Sequence, residues 1–261
     1  MITPEQRASL ADILATAERT REPVGPLSER EPGLEVVDAY EIQLINIERR
    51  VAEGATVCGH KVGLSARAMQ QMLGVDEPDY GHLLDDMLVP ESTVIAAGDL
   101  LQPRVEVEVA FILGAPLRAP GCTVADVLRA TEYVAPAIEV IDSRIRDWKI
   151  TLPDTVADNA SSGRVVLGGL RTGLDGLDLR TVGAVLRRNG EIAETGAAGA
   201  VLGNPATAVA WLANKVHAFG VTLEAGHIIM PGSCTRAVDV GPGDVVRADF
   251  DQLGSVTVAF G

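Results

Sequence analysis

The sequence predicts an α+β fold built around a mixed or antiparallel β core, and three observations predict it. Strand-like stretches rich in Val and Ile cluster along the chain, with helical stretches interspersed rather than alternating one for one. The dipeptide Asn189-Gly190 sits between two strand-like runs and is the strongest short hairpin signal present. Aromatic residues make up only 3% of a chain that is 47% hydrophobic, so the core has to be built from Val, Leu, Ile and Ala. At 261 residues the chain is long enough to bury such a core without staples.

Residues 3 to 20 carry Leu10, Ile13, Leu14 and Ala17 at helical spacing behind the start signal Thr3-Pro4-Glu5-Gln6. Pro23, Gly25, Pro26, Pro32 and Gly33 mark residues 21 to 34 as a loop. A second helix is expected from Val36 to Ala52, with Tyr40, Leu44, Ile47 and Val51 as its apolar stripe and Gly54 as its stop. Together residues 1–55 read as an N-terminal helical segment, a small cap or an oligomer contact, before a main body at residues 56–261. Val57 to Leu64 is a short strand punctuated by Gly59 and Gly63. Ser65 then caps a helix carrying Met69, Met72 and Leu73 and ending at Gly74. Pro78-Asp79-Tyr80-Gly81-His82 has the composition of a turn.

Strands follow at residues 92 to 97 and 104 to 113. Thr123-Val124-Ala125-Asp126 opens a helix running to about Tyr133, with Asp in the place of the usual Glu or Gln of a capping box. Residues 136 to 142 read as a strand and 165 to 167 as a short buried strand, and the hairpin joins 184–188 to 191–195. Asn204-Pro205 starts a helix whose core face is Val209, Leu212, Val216 and Phe219, ended by Gly220. Three more strands occupy 227–230, 245–250 and 255–260.

Composition excludes several classes of function. A formal net charge of −14 argues against binding nucleic acid, whose phosphates require basic patches, and against an anionic membrane surface. No apolar run is long enough to span a bilayer, and Met-Ile-Thr-Pro-Glu is not a signal peptide. Cys58, Cys122 and Cys234 are odd in number, widely spaced and without metal-ligand spacing, which fits a reducing cytoplasm. Mean hydropathy of +0.19 suggests that part of the surface is buried between subunits. No Gly-x-Ser-x-Gly, phosphate-cradling loop or Gly-x-Gly-x-x-Gly occurs.

Chemistry is best sought in Arg104-Val105-Glu106-Val107-Glu108-Val109. On a strand Val105, Val107 and Val109 face one way, and Glu106 and Glu108 the other. Two such glutamates either lie in water or, if enclosed, need a cation. Glu139 is a lone carboxylate between Ile138 and Val140 and has the same choice. Three carboxylates on one site would favour Mg2+ or Mn2+ over zinc or copper. Lys61 reads as a surface lysine or, in a recess near a cation, as a base with a lowered pKa. Asp158 to Gly163 and Pro231 to Thr235 read as loops or as donors for a substrate carboxylate.

Taken together, Gly59-His60-Lys61-Val62-Gly63-Leu64, Pro78-Asp79-Tyr80-Gly81, Arg104 to Glu108, Ile138-Glu139-Val140-Ile141-Asp142, Asp158-Asn159-Ala160-Ser161-Ser162 and Pro231-Gly232-Ser233-Cys234-Thr235 resemble the 2-hydroxypentadienoate (2-keto-4-pentenoate) hydratases of aromatic and steroid meta-cleavage routes. These stand beside the 4-oxalocrotonate decarboxylases in the fumarylacetoacetate hydrolase superfamily. The resemblance implies a mixed β roll with packed helices, Glu106, Glu108 and Glu139 as ligands of Mg2+ or Mn2+, Lys61 and Asp79 as the acid–base pair, and Ser161 with Asn159 at the substrate. It implies addition of water to a 2-hydroxy-2,4-dienoate, giving a 4-hydroxy-2-oxo acid. The alternatives are a decarboxylase, which needs a further cation such as Arg104 or Arg164 for a second carboxylate, and a non-catalytic subunit of a complex. A homo-oligomer and association with a pathway aldolase or decarboxylase are also implied. The hydrolases of the superfamily activate water with a His–Glu pair, and no helical His–Glu signature occurs here.

Overall fold

The computed structural model describes residues 1–66, 70, 75 and 77–261. The helix expected after Ser65, with Met69, Met72 and Leu73, falls outside the described residues. The N-terminal part is helical: α1 (Pro4–Thr20), a single turn α2 (Leu27–Arg30) inside the expected loop, and α3 (Val36–Ala52). Thr3 and Gln6 form the capping box of α1. On α3 the buried face is Asp38, Ala39, Tyr40, Ile42, Gln43 and Ile47, whereas Val51 is exposed. The expected stripe misses Asp38 because a carboxylate enters the interior only with partners. Here Arg7 meets it at 2.8 Å.

The remaining chain makes two sheets. One contains β1 (Val57–Gly63), β2 (Asp79–Leu84), β4 (Pro103–Leu113), β5 (Thr131–Asp142), β6 (Ser162–Leu167), β9 (Ile228–Met230) and β10 (Val238–Asp239). Its order is β2-β1-β9-β4-β5-β6, with β10 pairing β4. The other contains β3 (Val94–Ile95), β7 (Gly183–Arg188), β8 (Glu191–Ala197), β11 (Val245–Phe250) and β12 (Gly254–Phe260), in the order β3-β12-β11-β7-β8. Pairing is antiparallel except for β1 with β9 and β12 with β3, so the core is mixed as expected. The hairpin of β7 and β8 turns through Asn189 and Gly190, both at positive φ. Helices α4 (Val124–Ala130), α5 (Leu152–Ala157) and α6 (Pro205–His217) complete the described α-helices, and short 3-10 turns join several elements.

Two expectations fail instructively. Pro78 to His82 is not a turn: Asp79 begins β2, which is buried throughout and pairs antiparallel with β1. The helix expected to reach Tyr133 ends at Ala130, because Thr131 joins β5 and pairs with Leu113 of β4. The antiparallel pair β4 and β5 runs the length of both strands and is the spine of the fold.

The two faces of the seven-stranded sheet differ. Val105, Val107, Val109 and Phe111 face the main core, together with Val62, Tyr80, Ile138, Val140 and Ile229. The opposite face carries Ala110, Ile112, Ala135, Ala137, Ile228 and Met230. Leu83 from one edge strand and Val165 from the other pack in that same small cluster. The sheet is thus curled into a half-barrel, and these side chains plug its interior. The acidic residues lie on this inner face, just beyond the plug.

Candidate active site and metal centre

The site grows from the β4–β5 register. Glu106 stands directly opposite Glu139, and Glu108 is one same-face step along, opposite Ala137. Side chains that are opposite or diagonal on one face of an antiparallel pair come within reach of each other. One carboxylate oxygen from each of Glu106, Glu108 and Glu139 lies within 4.8 Å of the others. Glu108 and Glu139 are fully buried. Glu108 Oε2 accepts a 2.7 Å bond from the backbone N–H of Gly232, while Oε1 has no partner among the described residues. Neither oxygen of Glu139 accepts a hydrogen bond from the described residues, although Lys61 Nζ stands 3.5 Å from Oε1 as an ion pair.

Lys61 and Asp79 reach the same place from β1 and β2. Lys61 pairs with Gly81 and Gly63 with Asp79, so Lys61, Gly63 and Asp79 share one face. Gly63 is required there: a Cβ on it would lie 2.1 Å from Asp79 Oδ1 and 3.0 Å from Lys61 Nζ. The carboxylate and the ammonium converge on the space that this glycine leaves free. Asp79 is buried, with Oδ2 accepting from Thr155 Oγ1 at 2.6 Å and Oδ1 without a partner among the described residues.

Lys61 Nζ donates to the carbonyl of Ala160 at 2.8 Å. That carbonyl is delivered by an unusual turn, because Asn159, Ala160 and Ser161 have φ of 53°, 49° and 53° in succession. Left-handed backbone is unfavourable for residues with a Cβ, so the turn must be held from outside. Arg144 and Asp158 hold it. Arg144, buried at the end of β5, donates to both the side chain and the carbonyl of Asp158, and at 2.9 Å to the carbonyl of Ser162. Asp158 Oδ2 also accepts from the N–H of Arg144 at 3.0 Å and from Ser161 Oγ at 3.3 Å.

Asn159 clamps the protein's own backbone. Its Oδ1 accepts from the N–H of His82 at 2.7 Å and its Nδ2 donates to the carbonyl of His82 at 2.9 Å. Gly81 leaves room for this approach, since a Cβ there would lie 2.5 Å from the Asn159 carbonyl oxygen. Arg104 shares the face of Glu106 but bonds Asp239 at 2.7 Å and lies over the Trp148 ring at 4.6 Å. Arg164 stands opposite Val140, on the other face.

Four carboxylates, Asp79, Glu106, Glu108 and Glu139, act on one ammonium. Burial alone would lower Lys61, as its recessed position suggests. The four negative charges outweigh burial and hold the ammonium above its ordinary value. Burial pushes Glu106 up to about 7 against the pull of Lys61. Glu108 is driven well above the usual carboxylate range by burial and then by Glu139 and Glu106. Glu139 is raised by burial, with Lys61 opposing. Such a cluster of like charges is stable when ionised only beside a cation. Three converging carboxylates with unpartnered oxygens, and no sulfur or imidazole among them, fit a hard oxygen-seeking dication such as Mg2+ or Mn2+.

The fumarylacetoacetate (FAA) hydrolase C-terminal family matches residues 59–260. The chain belongs to this family. It is 46% identical over 259 residues to a 2-keto-4-pentenoate hydratase of Paraburkholderia xenovorans, covering 99% of this chain and 96% of the relative. It is 45% identical over 257 residues to a 2-oxo-hept-4-ene-1,7-dioate hydratase of Escherichia coli, covering 96% of each. A 4-oxalocrotonate decarboxylase of Pseudomonas putida G7, solved with magnesium and adipate, superposes with a TM-score of 0.96 at 41% identity, covering 100% of this chain and 99% of that one. A more distant fumarylpyruvate hydrolase of Pseudomonas aeruginosa shares the fold, with a TM-score of 0.61 at 15% identity over 77% of this chain and 88% of that one.

The acidic trio, Lys61, Asp79 and the turn carrying Asn159 and Ser161 are thus brought together at one mouth of the half-barrel. Sequence reasoning did not single out Thr155 and Arg144. Neither belongs to a motif. Each acts on a residue whose role emerges only from the fold.

Proposed function

We propose that this protein is a divalent-metal-dependent hydro-lyase that adds water to a 2-hydroxy-2,4-dienoate of about the size of 2-hydroxypentadienoate. The observation that carries the reading is the convergence of three buried carboxylates, several of their oxygens unpartnered, beside Lys61 and Asp79. Full-length likeness to hydratases supports the reaction class. Glu106, Glu108 and Glu139 would hold Mg2+ or Mn2+. The bound ion supplies a fixed double charge that draws electrons from a chelating 2-oxo acid.

The chain's own residues manage the protons. Asp79 Oδ1 has no partner among the described residues and sits beside the same space left by Gly63 as Lys61 Nζ. Between them these two groups move the proton of the substrate's 2-hydroxyl to C5, giving a 2-oxo-3-enoate. Water adds its hydroxyl at C4 and its remaining proton enters at C3 through the same two groups, giving the 4-hydroxy-2-oxo acid. The 3.3 Å bond from Ser161 Oγ to Asp158 is long and exchangeable for a substrate carboxylate oxygen. Asn159, both of whose polar atoms engage His82, enters this scheme as a positioning residue.

The decarboxylase reading has its own support in the 0.96 TM-score. Against it, Arg104 is engaged by Asp239 and Trp148, and Arg164 lies on the far face. The decisive assay uses metal-stripped protein with 2-hydroxypentadienoate and, separately, 2-oxo-3-hexenedioate. We expect no turnover until Mg2+ or Mn2+ is restored, then water addition without CO2. CO2 release from the diacid as the faster reaction overturns the hydratase assignment, and full turnover without metal overturns the site. Self-association, supported by the apolar composition, and contact with a pathway aldolase or decarboxylase complete the proposal. So does a reducing cytoplasmic setting, supported by three unpaired cysteines. Among the described residues no helix is long and apolar enough to cross a membrane.

A further inference from the structure

Asp79 has one oxygen engaged and one free, and what engages it comes from outside the sheet. Thr155 lies on α5, is buried, and directs its hydroxyl at Asp79 Oδ2 over 2.6 Å. No other partner of that hydroxyl is present among the described residues. Helix α5 is too short to be stable alone and is held at both ends. At its start, Asp154 is fully buried and accepts from the N–H and hydroxyl of Thr151 at 2.9 and 2.6 Å. The same carboxylate accepts from the N–H and hydroxyl of Ser28 in α2 at 2.9 and 2.7 Å. Toward its end, Gln43 of α3 donates to the carbonyl of Val156 at 2.6 Å. The N-terminal helices therefore fix α5, and α5 fixes the hydroxyl behind Asp79.

We propose that Thr155 is a positioning residue for proton transfer: its hydroxyl pins Asp79 Oδ2 so that Oδ1 alone is presented beside Lys61. A carboxylate rotates freely about its last bond unless both faces are constrained. The Thr155 hydroxyl supplies one constraint, and the missing side chain of Gly63 supplies the space for the other oxygen. With Oδ2 occupied as an acceptor, a proton taken up by Asp79 resides on Oδ1, the oxygen that faces Lys61. This inference rests on the acid–base role given above to Asp79 and Lys61.

The test is a reaction needing the proton relay but neither hydration nor decarboxylation: exchange of the C3 protons of 2-oxopentanoate with D2O, followed by NMR with Mg2+ present. Each exchange removes one C3 proton and returns one deuteron, so it balances without a co-reactant. In Thr155→Val the hydroxyl is replaced by a methyl of the same shape. Its exchange rate constant at saturation should fall about 10- to 100-fold, the equivalent of one hydrogen bond to a charged group. The half-saturating concentrations of 2-oxopentanoate and Mg2+ should move less than about threefold. Thr155→Ser, which restores the hydroxyl, should return to within about threefold of the wild-type rate. A Val variant exchanging at the wild-type rate overturns the proposal. So does a Ser variant as slow as Val, which would mark Thr155 as packing only. Failure of the wild-type protein to exchange at all overturns the relay and this inference with it. Exchange without hydration of the dienoate overturns the hydratase assignment alone.

Discussion

The inner face of the half-barrel has two ends made by the same strands. On β4 the face reads Glu106, Glu108, Ala110, Ile112, and on β5 it reads Glu139, Ala137, Ala135. Backbone pairing is continuous across the change, so a single pleat step separates Glu139 from Ala137. At one end Leu83 and Ile228 close over small alanines, and Val165 and Met230, opposite Glu139 and Lys61, mark the border. At the other, carboxylates stand together with unpartnered oxygens. The apolar end does what a core does. The acidic end is locally destabilising and persists because the rest of the barrel over-determines it. Function and stability are therefore separable along one strand.

Three experiments break or sharpen that contrast. The largest effect should come from Glu108→Gln, which keeps the shape and the acceptor for Gly232 but removes a charge from the trio. We expect metal-dependent turnover to fall by about 1,000-fold or more, and the rise in melting temperature with Mg2+ to vanish. The metal-free variant should melt no lower than wild type, because a buried like charge is gone. Kinetics and thermal melts with and without Mg2+ check this, and a Glu108→Gln protein retaining its metal response sinks the ligand assignment.

Next, Ile112→Ala at the apolar end should reverse the pattern. Loss of a buried branched side chain should lower stability by about 2–4 kcal/mol in urea unfolding, with turnover per folded molecule nearly unchanged. A loss of turnover without a loss of stability would show that the two ends are not independent.

The smallest effect concerns the outer face of β1. His60 is buried with neither ring nitrogen bonded among the described residues, 4.8 Å from the ring of His82 and 5.5 Å from that of His227. Burial holds His60 well below its ordinary value, with His82 and His227 adding to this, and pushes His82 down to about 4. Groups lowered on folding take up protons on unfolding, so their contribution to stability is present above about pH 6.5 and is lost as pH falls toward 4. The raised carboxylates of the acidic end have the opposite sign. Comparing wild type with His60→Leu cancels them, since both proteins carry that end. The urea midpoint of His60→Leu should fall less steeply between about pH 6.5 and 4.5. Equal slopes would remove His60 from the acid response.

How much of this was legible in the sequence depends on the distance over which each signal acts. Glu106 and Glu108 were legible because strand alternation is local. Glu139 was legible because a carboxylate between Ile138 and Val140 is conspicuous in an apolar strand. The place of Asp79 in the structure was not: Pro-Asp-Tyr-Gly has turn chemistry, and only pairing with β1 makes it a strand. Thr155 and Asp79 are 76 positions apart, and nothing in either neighbourhood announces the other. The left-handed turn at Asn159 to Ser161 contains no glycine, so its geometry is imposed by Arg144 and Asp158 rather than written in its own residues. Among the helices, capping chemistry was readable: Thr123 and Asp126 form the reciprocal cap despite the unusual Asp.

The bonds from Ser28 to Asp154 tie the leading helices to the short helix behind Asp79. The family match opens at residue 59, after the first three helices have ended. Cutting there would keep every proposed metal ligand, both proton-handling groups and the Thr151 cap, yet remove the contacts from Ser28 and Gln43 that help hold the short helix behind Asp79. A shortened chain of that kind is expected to keep the acidic trio and its sheets and to lose the oriented hydroxyl on which the proposed proton transfer rests. The leading helices are better regarded as the outer wall of the reaction chamber than as a detachable lid.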